Sequence, residues 1–328
     1  MKEKNILISI IIPHFNSVRL VRNAIEHAAC NEKVEVVVVD DKSTVSREDI
    51  ISLERHCKEK NVYFLRNETE KKGAGVCRNI GLQHAHGDWL LFVDADDYLT
   101  DGWYETVQPF LNSKADIVYF PPTSLNLSTG KASTRHILYR DLVLQYIRRP
   151  NQSNTTQLKY GFCTPWSKLF RRDLITRNRI AFDETPVSND IMFTTKCAYH
   201  AGEILADNHV IYCVTRSSAT LTSAKNEEHF WVRIGVLMDR YHYLQQHLPP
   251  RDFRDTHLGQ YLLGQFASTA AERYGIKTCL RLLRTYQDND VHLIRAGLFG
   301  AKPFWQKTKM LLLWFEDIYK SRRHEKKR

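Results

Sequence analysis

The first hundred residues alternate between short apolar runs and segments whose apolar residues recur at helical spacing. The runs predict strands within 6–12, 34–43, 62–67 and 89–97, and the periodic segments predict helices at 18–30, 46–58 and 74–84. Strands that are apolar on both faces and separated by helices are typical of a parallel sheet with both faces covered. The N-terminal half is therefore predicted to be α/β.

The pattern changes further along the chain. A helix is predicted at 103–111, a strand at 116–120, an irregular polar stretch at 121–135 and a return to strand at 204–215. After about residue 224 the apolar spacing is helical nearly throughout. The chain is thus predicted to form a mostly parallel sheet flanked by helices over 1–223, followed by a helical C-terminal appendage over 224–328.

Polar clusters follow three of the predicted strands, at 13–17, 40–43 and 94–97. Ligands of parallel sheets bind beyond the carboxyl ends of the strands. Asp94, Asp96 and Asp97 repel one another, and a bound Mg²⁺ or Mn²⁺ is the usual remedy, because hard cations prefer oxygen ligands. The alternative is a polar turn in which Asp97 caps the following helix.

Two further features of this edge suggest a nucleotide. Asp40 and Asp41 end the second strand, where an acid can accept a hydrogen bond from a ribose hydroxyl or a base N–H, although a simple turn also explains them. The segment GAGVCRNIGL at 73–82 lacks the G-x-G-x-x-G spacing, which weakens a dinucleotide-binding interpretation. Arg78 in this segment is predicted either to contact a pyrophosphate or to form a surface ion pair.

The net charge and the cysteine content indicate which partners and which cellular compartment to expect. The 47 Lys and Arg against 37 Asp and Glu give a net charge of +10, which favours anionic partners. Seven cysteines without a C-x-x-C pair indicate reduced thiols in a cytoplasmic protein. The apolar run at 6–12 is too short for a signal peptide or a membrane span.

Several motifs in register resemble one family. The segments ISIIIPHFNS, VVVVDDKS and GAGVCRNIGLQHAHGDWLLFVDADDYL are similar in order and spacing to the N-terminal signature of family 2 glycosyltransferases with the GT-A fold, of the bacterial surface-polysaccharide type. The resemblance implies a nucleotide-sugar donor, Mn²⁺ or Mg²⁺ at the D-x-D motif and inversion at the anomeric carbon. It places Pro13, Phe15 and Asn16 around the nucleoside, Asp41 at the uracil edge, and Asp96 and Asp97 at the ribose, metal and diphosphate. With these, the predicted nucleotide-sugar-binding residues are Pro13, Phe15, Asn16, Asp41, Arg78, Asp94 and Asp96, and the predicted metal ligands are Asp96 and Asp97.

The resemblance also implies a carboxylate base, usually in a Glu-Asp pair near the end of the sheet domain. The matching stretch FDETPVSNDIMF at 182–193 has Asn189 before Asp190, so one acid of the pair is missing. Asp190 is the predicted base, and Asp183 and Glu184 are rivals. A helix-capping role for Asp190 is the structural alternative.

Three more residues take roles by resemblance. Trp166 in TPWSKLFRRDLI is expected either to wall an acceptor pocket or to pack in the core, and Lys168 is expected to meet an anionic group. Arg216 in RSSATLTS is expected to approach the diphosphate.

The segment from Lys302 to Arg328 has nine basic and three acidic residues around a Trp-, Phe- and Leu-rich run. Such a basic amphipathic helix is typical of attachment to an anionic membrane surface, and docking on the folded domain is the alternative.

These observations predict a cytoplasmic inverting glycosyltransferase, peripheral on the membrane if the tail attaches there. It would move a sugar from a nucleotide-sugar, specifically a UDP-sugar, to a hydroxyl of a glycan or lipid-linked glycan. Three alternatives remain: a homologue that binds nucleotide-sugar without catalysis, a basic nucleic-acid-binding protein, and a nicotinamide-dependent oxidoreductase. The concentration of positive charge in the tail and the absence of an RRM, zinc-finger or helix-turn-helix pattern disfavour the second, so no nucleic-acid partner is expected. The missing glycine fingerprint disfavours the third.

Overall fold

A computed structural model describes residues 6–29, 31–60, 62–216, 226–264 and 273–291. The chain forms two compact units. The first ends at Thr256 and the second begins at His257. The predicted domain boundary after residue 223 and the basic tail from Lys302 both lie outside the described residues, and both stay predictions.

Ten strands are described in the first unit: β1 (Ile8–His14), β2 (Val34–Asp40), β3 (Tyr63–Arg66), β4 (Trp89–Phe92), β5 (Tyr98–Leu99), β6 (Ile117–Tyr119), β7 (Thr123–Asn126), β8 (Lys168–Arg171), β9 (Ile204–Ala206) and β10 (Tyr212–Arg216). Seven of them form the main sheet in the order β3-β2-β1-β4-β8-β6-β9. Strand β8 runs antiparallel to its neighbours β4 and β6, and the other pairings in this sheet are parallel. The mostly parallel sheet predicted from the sequence is confirmed.

The central strands are buried because both faces of the sheet are covered. Every residue of β1 is buried, as are all of β2 after Val34 and all of β4. The β-branched residues of β1 and β2 suit such an environment, since they pack well on a pleated surface. Continuous apolar runs therefore identified these strands correctly from the sequence.

Twelve helices are described: α1 (Val18–Ala28), α2 (Arg47–Glu59), α3 (Ala74–His84), α4 (Trp103–Val107), α5 (Ile137–Arg148), α6 (Gln152–Gly161), α7 (Arg172–Arg177), α8 (Ile191–His200), α9 (Glu227–His247), α10 (Pro250–Asp255), α11 (Leu258–Gly264) and α12 (Ile276–Asp288). Helix α1 buries Val21, Ala24, Ile25 and Ala28, which share one face at helical spacing. Helix α2 begins at Ser46, whose hydroxyl accepts from the Asp49 amide. The predicted helices at 18–30, 46–58 and 74–84 are confirmed.

A second, three-stranded sheet was not predicted. Its order is β5-β10-β7, with β10 antiparallel to β5 and parallel to β7. The stretch 121–135 was expected to be irregular, yet it contains β7. The single return to strand expected at 204–215 is two strands, and β9 and β10 belong to different sheets. These strands have two to five residues each, too few to show a period-2 pattern.

The second unit contains α11 and α12, and the Tyr286 hydroxyl on α12 donates to the Leu262 carbonyl on α11 at 3.1 Å. No described helix combines the length and the apolar character that crossing a bilayer requires.

Candidate active site

The carboxyl ends of β1, β2 and β4 lie together at one edge of the main sheet. His14 and Asp40 are paired at the ends of β1 and β2, and Pro13 is buried beside them. The Asp41 amide donates to the His14 carbonyl at 2.7 Å. Asp94 follows β4 closely, and β4 pairs with β1. The structure therefore brings the three polar clusters of the sequence to one place.

Asp41 is held in one orientation by two hydrogen bonds. Its Oδ1 accepts from Asn67 Nδ2 and its Oδ2 accepts from the Gly73 amide, both at 2.7 Å. Gly73 has a φ of +124°, a backbone conformation that favours glycine. Neither Asn67 nor Gly73 was recognisable from the sequence as a partner of Asp41, since no local pattern pairs them with an acid on another strand. The buried carboxylate is thus preset before any ligand binds.

The loop after β1 presents an aromatic ring at the same edge of the sheet. The Phe15 side chain is 49% exposed, and Lys72 Nζ lies 5.5 Å from its ring centroid. Asn16 has a φ of +52°; its amide donates to Ser43 Oγ at 2.8 Å and its Oδ1 accepts from the Thr44 amide at 2.7 Å. These bonds fix the loop after β1 to the loop after β2. An exposed ring held this way offers a face on which a base can stack.

The three acids that follow β4 form a compact cluster. Asp94, Asp96 and Asp97 can each place one carboxylate oxygen within 4.8 Å of the others. Asp97 is buried, and its Oδ2 accepts from the Tyr212 hydroxyl at 2.9 Å while its Oδ1 accepts from the Thr215 amide at 2.6 Å. Burial and the two neighbouring acids raise the pKa of Asp97 well above its usual range. We call these three residues the acidic triad.

The acidic triad fits a divalent cation. Its donors are carboxylate oxygens, which Mg²⁺ and Mn²⁺ prefer. The Asp96 side chain reaches solvent, yet partial desolvation by the surrounding protein, and to a lesser degree the Asp94 charge, raise its pKa. A cation would relieve the repulsion between the two carboxylates. The helix-capping alternative for Asp97 is not supported, because α4 begins after Gly102 without a side-chain cap.

Arg78 joins the acidic triad to the loop before α8. Its side chain is buried, with Nη2 2.6 Å from Asp94 Oδ1 and Nη1 2.8 Å from Asn189 Oδ1. The guanidinium also lies 5.3 Å from the centroid of the Phe182 ring. The sequence allowed a surface ion pair. The observed pair is partly buried, because the Arg78 side chain is enclosed while that of Asp94 is 30% exposed. Among the described residues, no partner accepts from Arg78 Nε.

Asp190 lies directly before α8, and its side chain makes no capping hydrogen bond there. Burial raises its pKa, while the charges of Arg78 and Lys168 lower it and Asp94 raises it. Asp190 therefore lies within electrostatic reach of the acidic triad. Its neighbour Asn189 is 8% exposed and is the residue that Arg78 contacts directly. Because Arg78 contacts both Asn189 and Asp94, the Asp190 carboxylate follows a residue that is tied to the triad, and it is a candidate to accept a proton there.

The two rival acids have other surroundings. Glu184 Oε2 is 2.5 Å from Lys71 Nζ, and this hydrogen bond lowers its pKa. Burial raises the pKa of Asp183, and the charge of Lys196 on α8 opposes this effect. Of the three acids, only Asp190 has a member of the triad among the charges that act on it.

Two residues placed by resemblance lie in the core. Trp166 is 3% exposed and stacks on Tyr212, with ring centroids 5.4 Å apart, so the core-packing alternative holds and the ring supports a residue that binds Asp97. Lys168 forms no ion pair in the described part of the chain: its Nζ donates to the Phe162 carbonyl, and Asp190 acts on it only through space. The side chain of Arg216 lies outside the described residues.

Comparisons with known proteins agree with this geometry. The family model for glycosyl transferase family 2 matches residues 9–178, more than half of the chain. The poly(ribitol-phosphate) beta-N-acetylglucosaminyltransferase TarS of Staphylococcus aureus (strain MW2) is 27% identical over 226 residues, which are 66% of this chain and 37% of that protein. The chain thus spans little more than a third of the length of this relative.

Solved structures show the same fold. The structure of S. aureus TarS 1–349 in complex with UDP-GlcNAc has a TM-score of 0.67 at 21% identity and covers 87% of this chain and 80% of that one. The mannosyltransferase PcManGT from Pyrobaculum calidifontis, in complex with GDP-Man and Mn²⁺, has a TM-score of 0.56 at 18% identity and covers 90% and 88%. The fold is thus the GT-A fold predicted from the sequence. With the family match extending over β1 to β4 and the acidic triad that follows, the chain belongs to glycosyltransferase family 2.

Proposed function

We propose that this protein transfers a sugar, with inversion, from a UDP-sugar to a hydroxyl group of a phosphodiester-linked polyol chain of the bacterial cell surface. Membership of family 2 supports the reaction class. The relative that acts on poly(ribitol phosphate) and the fold shared with a UDP-GlcNAc complex support the acceptor and the donor. The observation that carries the proposal is the acidic triad with Asp190 within its electrostatic reach.

The donor would bind across the carboxyl ends of β1, β2 and β4. In this proposal Pro13, Phe15 and Asn16 surround the nucleoside, and Asp41 accepts from the N–H of the base. Asp94, Asp96 and Asp97 would hold Mn²⁺ or Mg²⁺, as Mn²⁺ accompanies GDP-Man in the mannosyltransferase PcManGT. When bound, the cation neutralises charge on the departing diphosphate without proton transfer.

Asp190 is the proposed general base. The acceptor hydroxyl loses its proton as its oxygen attacks the anomeric carbon, the bond from that carbon to the diphosphate oxygen breaks, and the proton passes to the Asp190 carboxylate. Arg78 touches Asp94 and acts on Asp190, so it would orient the triad and add positive charge near the leaving group. A single displacement of this kind inverts the anomeric configuration.

The test is a panel of UDP-sugars, offered with poly(ribitol phosphate) or poly(glycerol phosphate) in Mn²⁺, Mg²⁺ or a chelator. Released UDP gives the rate, and the coupling constant of the anomeric proton in the product gives the configuration. We expect a β-linked product from an α-linked donor, formed only when a divalent cation is present. A product with retained configuration, or UDP release that is unaffected by the chelator, would contradict the proposal.

One observation favours a second candidate, a homologue that binds nucleotide-sugar without transferring the sugar. Asn189 stands where the family usually has an acid, and its amide oxygen is committed to Arg78. This alternative predicts metal-dependent UDP binding without UDP release from any donor. Restoring the acid in Asn189→Glu would then create activity, whereas our proposal requires activity in the natural chain.

A further inference from the structure

An arginine-lined crevice lies away from the acidic triad, at the turn between α5 and α6. It is open to solvent, has a volume of about 940 Å³ and is completed by α10. Three of its lining residues are Arg148 at the end of α5, Arg149 in the turn, and Arg251 on α10. All three side chains are exposed. We call this site the arginine crevice.

The three guanidinium groups are not neutralised by the protein. Within the described ranges, none of them forms an ion pair with an acid, whereas Arg66 pairs with Glu54 and Arg177 with Asp116. The lining contains one acid, Asp141, whose Oδ1 already accepts from Arg140 at 2.8 Å. The three arginines outnumber the one acid of the lining, so the lining of the arginine crevice carries a net positive charge.

The backbone around the crevice is fixed by buried and bridging side chains. Asn154 is 8% exposed, and its Nδ2 donates to the Arg149 carbonyl at 2.8 Å. The Asn151 side chain accepts from the Asn154 amide and begins α6. Gln152 Nε2 donates to Asp252 Oδ2 at 3.0 Å and so ties α6 to α10. The three arginines are thus presented on a preformed frame.

Helix α5 connects the crevice with the acidic triad. Its N-terminal turn lies close to the triad, because Tyr139 packs on Trp166 with ring centroids 5.0 Å apart. Trp166 in turn stacks on Tyr212, whose hydroxyl donates to Asp97. The C-terminal end of α5 is Arg148 in the crevice. Twelve helical residues span about 18 Å. A chain molecule lying along α5 would reach both places at once.

We propose that the arginine crevice binds a phosphodiester of the acceptor chain, several repeats away from the unit that receives the sugar. The planar guanidinium matches phosphate oxygens in a two-pronged geometry, which makes arginine the preferred residue for phosphate recognition. This inference rests on the proposed function, because it assumes a polyol phosphate acceptor. It adds a second contact that holds the chain while its hydroxyl groups react in turn.

The lining disfavours other anionic ligands. In the described part of the chain it contains no aromatic residue on which a nucleic-acid base could stack, and no aliphatic side chain that could enter a lipid bilayer. Its polar members, such as Asn151 and Ser153, suit the hydroxyl groups of a polyol. A phosphodiester chain with hydroxylated repeats fits the whole lining.

The test uses the full chain and poly(ribitol phosphate) oligomers of increasing length, labelled for fluorescence anisotropy. The variant carries R148Q, R149Q and R251Q. The control carries R47Q, R55Q and K58Q, three exposed cations on α2, which packs on the β3 edge of the sheet, whereas α5 packs on the β9 edge. Because an exposed charge pair contributes modestly, we expect the triple variant to weaken binding of long oligomers by about tenfold.

The same variant should bind a single repeat and UDP as the natural chain does, and the control should bind long oligomers normally. Equal weakening in variant and control, or weakening that is independent of oligomer length, would overturn the inference. Competition by duplex DNA or anionic vesicles as effective as that by long oligomers would also overturn it. If the triple variant does not fold by circular dichroism, R251Q alone is compared with R55Q by the same length series.

Failure of the proposed function gives a different result. If the chain binds long oligomers through the three arginines but releases no UDP from any donor, the proposed transfer reaction is contradicted. Binding of the acceptor chain in the arginine crevice then still holds. Conversely, the natural chain and the triple variant could both transfer sugar to single repeats and long oligomers with equal KM. That result would contradict phosphodiester binding in the arginine crevice and leave the proposed transfer reaction intact.

Discussion

Replacing Lys168 with Met should stabilise the first unit at neutral pH. Lys168 is 1% exposed, and its ammonium group lies 4.3 Å from the ring centroid of Phe162 and 5.1 Å from that of Tyr119. Within the described residues no carboxylate forms an ion pair with it, and its Nζ donates to the Phe162 carbonyl. Burial lowers its pKa from the ordinary 10.5 to about 7. Folding at pH 7 therefore requires Lys168 to release its proton in about half of the molecules and to bury a desolvated charge in the others.

The expected gain follows from these two pKa values. Their difference corresponds to about 4–5 kcal/mol of lost stability when the unfolded chain is protonated. The hydrogen bond and the ring contacts that Met cannot replace offset about 1–2 kcal/mol. Met has a similar length and adds apolar contact. We expect Lys168→Met to raise the free energy of unfolding by about 2–3 kcal/mol at pH 7.

The gain should depend on pH in a defined direction. Between pH 7 and 10.5 the unfolded chain keeps the Lys168 proton while the folded chain has lost it, so the stability of the natural protein rises with pH. The advantage of the Met variant is full below pH 7 and disappears as the pH approaches 10.5. Groups common to both proteins, including the buried thiols, cancel in the difference.

Urea unfolding of both proteins between about pH 6 and pH 10, followed by tryptophan fluorescence, gives this difference. Lys58→Met, which removes an exposed lysine from α2, is the control and should leave the difference flat. A Met variant that is less stable at pH 7, or a difference that does not change with pH, would refute the reasoning and indicate that Lys168 stays charged in the fold.

Three further predictions follow from the site and the tail. Asp96→Ala and Asp97→Ala should each abolish transfer and the Mn²⁺-dependent part of UDP binding, and calorimetry with unchanged affinity in Mn²⁺ would contradict the metal assignment. Asp190→Asn should lower turnover by about 10²- to 10⁴-fold with donor binding retained. If Asp183→Asn does so instead, that acid is the base. Truncation before Lys302 should release the protein from anionic liposomes while leaving transfer to a soluble acceptor largely intact, and a truncated protein that aggregates would indicate a helix of the core.

The sequence predicted the central strands because strands that are buried on both faces consist mostly of apolar residues. Segments such as ILISIII and VEVVVV are mostly β-branched and each contains a single polar residue, and their strands pair over seven consecutive residues. The acidic cluster was also recognisable, since three carboxylates at a strand end are costly without a partner. Local sequence patterns therefore predicted those features that depend on residues close together in the sequence.

Long-range partners could not be predicted in the same way. The hydroxyl that binds Asp97 belongs to Tyr212, 115 positions further on, and Asp41 depends on Asn67 and Gly73. Helices α5 and α6, with the arginine crevice at their turn, also went unpredicted. Single arginines in a polar turn have no spacing rule that indicates which of them will lie together in the fold.

The two hydrogen bonds that hold Asp97 determine when the site can form during folding and which fragments of the chain can contain it. Asp97 follows the main sheet, but both of its hydrogen-bond donors, Tyr212 and Thr215, belong to β10 of the small sheet. Contacts between residues so distant in sequence form slowly, because a long loop must close first. The site should therefore mature late in folding. A fragment ending at residue 178, where the family match ends, would retain all three aspartates and yet lack the strand that orders them.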